Sequence, residues 1–235
     1  MASGSGTGTL AAAPNAVTAG ELLAAIRAAL DDAAGNTWTD AELLSFLSEA
    51  VREYSQHLPR IGTAELAAAD ATRRYALPLD TRAVISVEYP SDLEPPVYLR
   101  RRRYKSIRFA AARCYDLLFS HDLNEPPVLL LSFDPEAGEV LTVRYLHPHE
   151  HEPAAESYLT VPADHHHVLL AYVLFAAARQ LQSREQAAPT NNSSLLMAQL
   201  ASNTRRLELV YLNALNRILF HRLGEGEMVG WGDGD

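Results

Sequence analysis

The chain has 235 residues, 48% of them hydrophobic, and a formal net charge of −9. That is enough apolar surface for a packed core and too acidic a balance for the whole surface to attract phosphates. No apolar run of about 18 residues free of charges occurs, and the opening Met1-Ala-Ser-Gly-Ser-Gly-Thr-Gly8 lacks the basic and apolar regions of a signal peptide, so neither a membrane nor a secreted protein is expected. The single cysteine, Cys114, excludes an internal disulfide framework and a Cys-based zinc site, and is expected as a small buried apolar residue.

Residues 1–17 are mostly Gly, Ser, Thr and Ala with Pro14, too poor in large side chains to offset their ordering entropy, and predict a flexible arm. Thr18 and Glu21 have the spacing of a capping box, and Leu22, Leu23, Ile26, Ala29 and Leu30 line one face of a first helix that Gly35 is expected to end. The short Gly-Asn-Thr connection predicts an αα-hairpin with the next helix. That second helix has both ends written in. Thr39 and Glu42 form another capping box, Trp38 before the cap is placed to staple onto Leu43, and Pro59 stops the helix. Trp38, Leu43, Leu47, Ala50, Val51, Tyr54 and Leu58 make an apolar stripe that needs a partner. A DNA-reading helix-turn-helix is disfavoured, because Asp40 and Glu42 at the start of the second helix would repel phosphates.

From Arg74 the pattern turns to β: Arg74 to Pro78, Val84 to Tyr89 and Val97 to Arg100 are short β-rich runs separated by Pro and Asp. Val128 to Phe133 and Glu139 to Leu146 flank Asp-Pro-Glu-Ala-Gly, which predicts a hairpin. Residues 74–146 therefore read as a small antiparallel sheet inserted into a helical core of residues 18–60 and 162–223. Within it, Ile107, Ala110, Ala111, Cys114, Leu117 and Leu118 recur at helical spacing and predict a short helix over Ser106 to Phe119.

Pro162 suits the first position of a third helix, apolar on most sides and expected to be the most buried. A fourth runs from about Ser193 to Leu223, with Leu196, Leu200, Leu207, Val210, Tyr211, Ala214 and Ile218 on one side. At ~45 Å it is longer than a small core requires, so part of it is free to meet another subunit. Residues 224–235 hold glycines at every second position from Gly230 and predict a flexible tail; Met228, Val229 and Trp231 within it have the character of docking anchors. The fold class predicted is thus α+β, mainly a helical bundle of about four helices with a long C-terminal one and an inserted antiparallel sheet, in a single domain of residues 18–223.

Two constellations could carry chemistry. His147, His149 and His151 alternate, and His165, His166 and His167 begin the third helix, which is suggestive of a metal site. Pro148 and Pro153 interrupt the first group, adjacent helical histidines point about 100° apart, and no HExxH motif is present, so no metal, cofactor or catalytic residue is assigned. G-x-S-x-G, P-loop and G-x-G-x-x-G motifs are likewise missing from the sequence. The second constellation is basic: Arg100, Arg101, Arg102, Arg103, Lys105 and Arg108 cluster in an otherwise acidic chain, and Lys105 is its only lysine. Such a cluster suits either the acidic groups of a neighbouring subunit or DNA phosphates, against a solvated strand end as the plain alternative.

The run Trp38-Thr-Asp-Ala-Glu-Leu-Leu-Ser-Phe-Leu-Ser-Glu-Ala-Val-Arg-Glu53, preceded by a short helix and followed by Leu58-Pro59, resembles the N-terminal half of head-to-tail adaptor (connector) proteins of tailed bacteriophages. The Tyr75-Ala-Leu-Pro78 strand start, the strand Val140 to Leu146 and two C-terminal helices keep that family's order, so the resemblance spans roughly residues 18–223. It implies a non-enzymatic virion protein, made in the host cytoplasm and located at the portal vertex, that assembles as a homo-oligomeric ring of about twelve subunits. The implied partners are the portal protein, as the groove for the C-terminal tail, and a tail or stopper (tail-terminator) protein. Double-stranded DNA would pass through the lumen without sequence-specific binding, and no membrane is involved. A His-rich metal-dependent hydrolase or a bacterial helical scaffold is the alternative from another class.

Overall fold

A computed structural model of the protein describes residues 17–69, 72–120, 122, 124–150, 152–189 and 193–224. The chain divides into two compact units. One takes in the chain up to His57 and from His149 through the last helix; the other is Leu58–Pro148. Residues 1–16 of the expected arm, His151, and the tail with Met228, Val229 and Trp231 lie outside the described residues.

The first unit is helical: α1 (Ala19–Ala29), α2 (Asp40–His57), a 3-10 turn (Ala163–His165), α3 (His166–Ala187) and α4 (Ser193–Gly224). Both capping boxes form. Glu21 N donates to Thr18 Oγ1 at 3.1 Å while Thr18 N donates to the Glu21 carboxylate, and Glu42 N donates to Thr39 Oγ1 at 3.2 Å while Thr39 N donates to Glu42 Oε2. These satisfy first-turn N–H groups that a helix cannot pair internally. The end of α1 departs from expectation. The helix stops at Ala29 instead of running to Gly35, because Asp31 takes the left-handed conformation (φ 54°), with Asp31 N on Ala28 O and Asp32 N on Arg27 O. This is the Schellman arrangement with aspartate in the place glycine usually fills. Gly35 (φ 69°) turns the following loop.

Helix α1 packs on α2 and α3, α2 on α3, and α3 on α4. The α2 stripe is buried: Leu43, Leu47 and Val51 have no exposed surface, and Tyr54 and Trp38 are 1% and 2% exposed. Each such side chain contributes on the order of 1.5–3 kcal/mol by leaving water. Helix α3 buries Val168, Leu169, Ala171, Val173, Ala176, Ala177 and Ala178, four of them alanines whose small side chains allow close approach of its neighbours. Helix α4 meets it through Tyr211, Leu215 and Ile218, with the Tyr211 ring edge-on to Tyr172 at 5.1 Å. Val210, expected on the covered side, is half exposed, since it stands about 100° around the helix from Tyr211. The segment before α1 is also held: Leu159 N donates to Val17 O, and Thr18 bridges Tyr158.

The second unit contains the strands, β1 (Arg60–Ala67), β2 (Arg74–Ala76), β3 (Ala83–Glu88), β4 (Arg100–Arg101), β5 (Cys114–Leu118), β6 (Val128–Leu131) and β7 (Val140–His147). They form a three-stranded antiparallel sheet in the order β1-β7-β3 and a four-stranded sheet in the order β2-β6-β5-β4, antiparallel except for the short β4–β5 pair. Val87, Leu141 and Val143 of the first sheet share one core with Tyr75, Tyr115, Leu117, Leu129 and Leu131 of the second. The α+β class is as expected, with four helices among the described residues, the last of 32 residues, and small sheets between them.

Four expectations for this stretch are corrected. The sheet begins at Arg60, not Arg74, because β1 pairs along its whole length with β7, from Arg60 opposite His147 to Ala67 opposite Val140. The β6 and β7 runs do not form a hairpin with each other. β6 and the first half of β7 alternate buried and half-buried residues, and they bury their apolar sides in the shared core from different sheets. Gly138 (φ 89°) sits in the connection that carries the chain across. The helix expected over Ser106 to Phe119 is turns followed by β5, which lies between β4 and β6 and is buried on both sides. A strand covered on both faces loses its two-residue alternation, and its apolar run becomes indistinguishable from a helical one. The run Val97 to Arg100 contributes only an isolated bridge, Tyr98 to Glu88, before β4.

Candidate functional site

The basic cluster is built on a buried carboxylate. Arg100 and Arg101 form β4, aligned with Cys114 and Tyr115 of β5, and Arg102 N donates to Tyr115 O at 2.8 Å. Asp116, 6% exposed, sits beneath them. It accepts from Tyr104 N at 2.9 Å and from its neighbour Leu117 N at 2.8 Å, and lies 3.6 Å from Arg101 Nε. The far end of the loop is tied by Ser132, whose hydroxyl accepts from Cys114 N and donates to Ala112 O. Burial pushes the Tyr115 phenol upward, with the Arg101 charge opposing it.

Between these ties the chain makes turns, Ser106 N on Arg103 O and Phe109 N on Ser106 O. Arg100, Arg101, Arg103, Lys105 and Arg108 are exposed and Arg102 is half-buried; Lys105 stands over the Tyr104 ring at 5.7 Å, and Ile107 at the tip is 95% exposed. Residues 100–113 carry seven basic side chains and no acid. The arrangement is a pinned loop that presents guanidinium groups, which pair bidentately with carboxylates or phosphates, beside one exposed branched apolar side chain. Asp116 was not singled out in the sequence. The available signal was a lone acid inside the apolar run Cys-Tyr-Asp-Leu-Leu, directly after an arginine cluster.

The histidines are distributed over separate tasks. His147 Nδ1 lies 3.2 Å from Asp80, and its ring is against Tyr145. His149 is 4% exposed; its backbone N–H donates to Ser55 Oγ, its Nδ1 is 3.2 Å from Thr160 Oγ1, and its ring meets Tyr54 edge-on. Tyr54 Oη is hydrogen-bonded to His165 Nδ1 at 2.5 Å. His166 Nε2 bonds Val161 O and His167 Nδ1 bonds Asp164 O. Among the described residues no three His, Cys, Asp or Glu side chains converge on one point.

At the α1–α2 turn, Asp32 accepts from Thr37 N at 3.1 Å and Trp38 N at 2.9 Å, and Arg27 reaches Asp32, Asp40 and Trp38 O. The Thr37 N–H bond, more than the nearby Arg27 charge, holds the Asp32 carboxyl below the usual range. Trp38 does not rest alone on the stripe. Its ring meets Phe46 edge-on, and the Arg184 guanidinium lies over it at 4.4 Å while also pairing with Glu42. No helix among the described residues is long and apolar enough to cross a membrane.

No curated protein matches the chain. Residues 17–216 match the SU10 adaptor protein family, a stretch that includes the capped α1–α2 pair, the whole of the β unit, α3 and most of α4. The chain therefore belongs to the SU10 adaptor proteins, a family of bacteriophage adaptors.

Proposed function

We propose that the protein is a non-enzymatic virion component at the head–tail junction, which assembles as a homo-oligomeric ring on the portal, extends the DNA channel and offers the docking surface for a tail or stopper protein. The observation that carries the proposal is the family match over residues 17–216. What supports its physical side is that a closed ring needs two different complementary faces on each subunit. Here a 32-residue helix on one unit and a pinned basic loop on the other are distinct candidate faces. In this reading Arg100, Arg101, Arg102, Arg103, Lys105 and Arg108 pair with acids of the neighbouring subunit, the alternative being passing contact with DNA phosphates. Met228, Val229 and Trp231 anchor the tail in a groove of the portal. Duplex DNA traverses the lumen without base-specific contacts.

The decisive experiment mixes the purified protein with its cognate portal and images the product by electron microscopy. A ring of adaptor density on one face of the portal is expected. Portal particles left bare at saturating protein would overturn the reading. Deleting residues 224–235, or substituting Trp231→Ala, is expected to leave melting unaltered while weakening attachment; full attachment of the truncated chain would remove the tail from the proposal.

A further inference from the structure

Three of the exposed apolar patches among the described residues are sorted by the charges beside them. The first is on α4, where Leu209 (54% exposed), Leu212 (42%) and Phe220 (72%) fall within about 80° of one another around the helix axis, flanked by exposed Arg205 and Arg206. No carboxylate among the described residues pairs with either arginine, and α4 carries four arginines against the single acid Glu208. The second is Tyr104 and Ile107 of the basic loop. The third is the loop between β3 and β4, where Leu93, Val97 and Tyr98 are about half exposed beside exposed Asp92 and Glu94.

This third loop is held at its base. Tyr89 N donates to Val97 O at 3.0 Å and Leu99 N to Val87 O at 2.8 Å, and Ser91 Oγ reaches both Val140 O and Thr142 Oγ1. Tyr89 is 2% exposed, and its oxygen accepts from Glu136 N at 2.8 Å. A base held in this way lowers the backbone ordering cost of presenting the loop's apolar side chains to a partner. An α4–α4 contact would set Arg205 and Arg206 against their own copies, and an α4 contact with the basic loop would also oppose like charges. Of these three patches, the β3–β4 loop is the one that combines apolar contact with opposite charge.

We propose that the 92–98 loop of one copy docks on the Leu209, Leu212, Phe220 face of the next, with Asp92 and Glu94 against Arg205 and Arg206. The contact is heterologous, loop to helix, and so repeats from copy to copy. It rests on the ring reading above and names the surfaces that close the ring.

The test uses parent and variant chains side by side on the cognate portal, all in a Cys114→Ala background with folding checked by circular dichroism. Chains carrying only Val97→Cys are mixed with chains carrying only Leu209→Cys and oxidised, so that any disulfide between the two must join different copies. A strong mixed cross-link is expected, and weak or no cross-link in either population alone. Glu94→Arg is expected to lower ring yield about tenfold, and adding Arg206→Glu to the same chain to restore most of it. Undiminished assembly by Glu94→Arg and Leu93→Asp, with the parent ring intact, would overturn this contact and leave the ring reading standing. Cross-linking confined to Leu209→Cys chains alone would replace it with an α4–α4 contact, and preferential cross-linking of Leu209→Cys to Ile107→Cys would replace it with the basic loop. Failure of the parent itself to assemble on the portal would overturn the ring reading, and this contact with it.

Discussion

Gly62 and Tyr145 face each other across the β1–β7 ladder, and the tyrosine ring occupies the space a side chain at residue 62 would need. A Cβ built at Gly62 would come within 2.7 Å of Tyr145 Cζ and 2.9 Å of its hydroxyl oxygen, with His147 Cδ2 next at 3.1 Å. Glycine here serves close approach and not a left-handed turn, an arrangement in which an aromatic covers the bare backbone of its cross-strand partner. Gly62→Ala is expected to cost about 1–2 kcal/mol, read from the urea midpoint, because the ring must leave a packed position. Gly62→Ala combined with Tyr145→Ser should cost less than the sum of the two single changes. Strict additivity would show that the ring moves aside freely.

Leu47 is fully buried in the α2 stripe. Leu47→Ala is expected to destabilise by about 2–5 kcal/mol through the cavity left behind. Leu47→Asp should do more damage, since a buried unpaired carboxylate is added to the lost packing. Thermal melting decides it: a Leu47→Asp chain that melts with the parent is incompatible with the helical core described.

The Asp32 carboxylate makes stability depend on pH with a definite sign. Its folded pKa lies below the ordinary value, first because of the Thr37 N–H bond, so the folded state binds fewer protons than the unfolded one in the window beneath pH ~4. The stabilisation is complete above the unfolded pKa and is lost as pH falls through the folded one. Asp32→Asn is therefore expected to lower the melting temperature at pH 7 and to converge on the parent in acid. A constant gap between the two down to pH 2 would refute the assignment.

Tyr211 carries a hydroxyl that is buried without a hydrogen-bond partner among the described residues, and burial raises its pKa strongly, with Glu53 adding to the effect. Removing an unsatisfied polar atom while keeping the ring on Tyr172 should be neutral or stabilising by up to about 1 kcal/mol. Tyr211→Phe tested by denaturant unfolding checks this. A loss above 1 kcal/mol would mean that the hydroxyl is bonded in solution.

The basic loop yields an assembly prediction. Reversing Arg101, Arg102 and Arg103 to Glu is expected to leave the chain folded and to hinder ring formation, with the difference greatest at low salt. Ring yield unchanged at low ionic strength would return the cluster to a solvated surface. Arg101 is the one of the three beside the buried Asp116, so Arg101→Gln is the control that separates loop anchoring from contact between subunits.

The parts of this structure that were legible from sequence are those decided locally. Thr18 with Glu21 and Thr39 with Glu42 announce their helices because both halves of each cap lie within one turn. The α2 stripe was legible because its period is set by the helix itself. Strand β1 was not, since Ile61, Thr63 and Glu65 all stay exposed and no residue of the strand is fully buried. What holds it is its ladder to β7, some 80 residues away in sequence by register. The same holds for β6 and β7, whose choice of different sheets depends on partners and not on the turn between them. At the candidate site the arginines were visible as composition, whereas the carboxylate that fixes their loop depends on β5 being a central strand.

The first and last rungs of the β1–β7 ladder carry one more implication. Arg60 is paired with His147, so the chain enters and leaves the β unit through adjacent backbone positions, and the eight-residue ladder closes the whole 58–148 excursion at its neck. A neck of that kind makes the stretch a cassette. Loops such as 92–98 and 102–113 can lengthen, shorten or change charge at modest entropic cost while the ladder keeps the spacing of its two ends, and exchanging cassettes between relatives at residues 58 and 148 becomes a test of whether this stretch or the helices decide what an adaptor recognises.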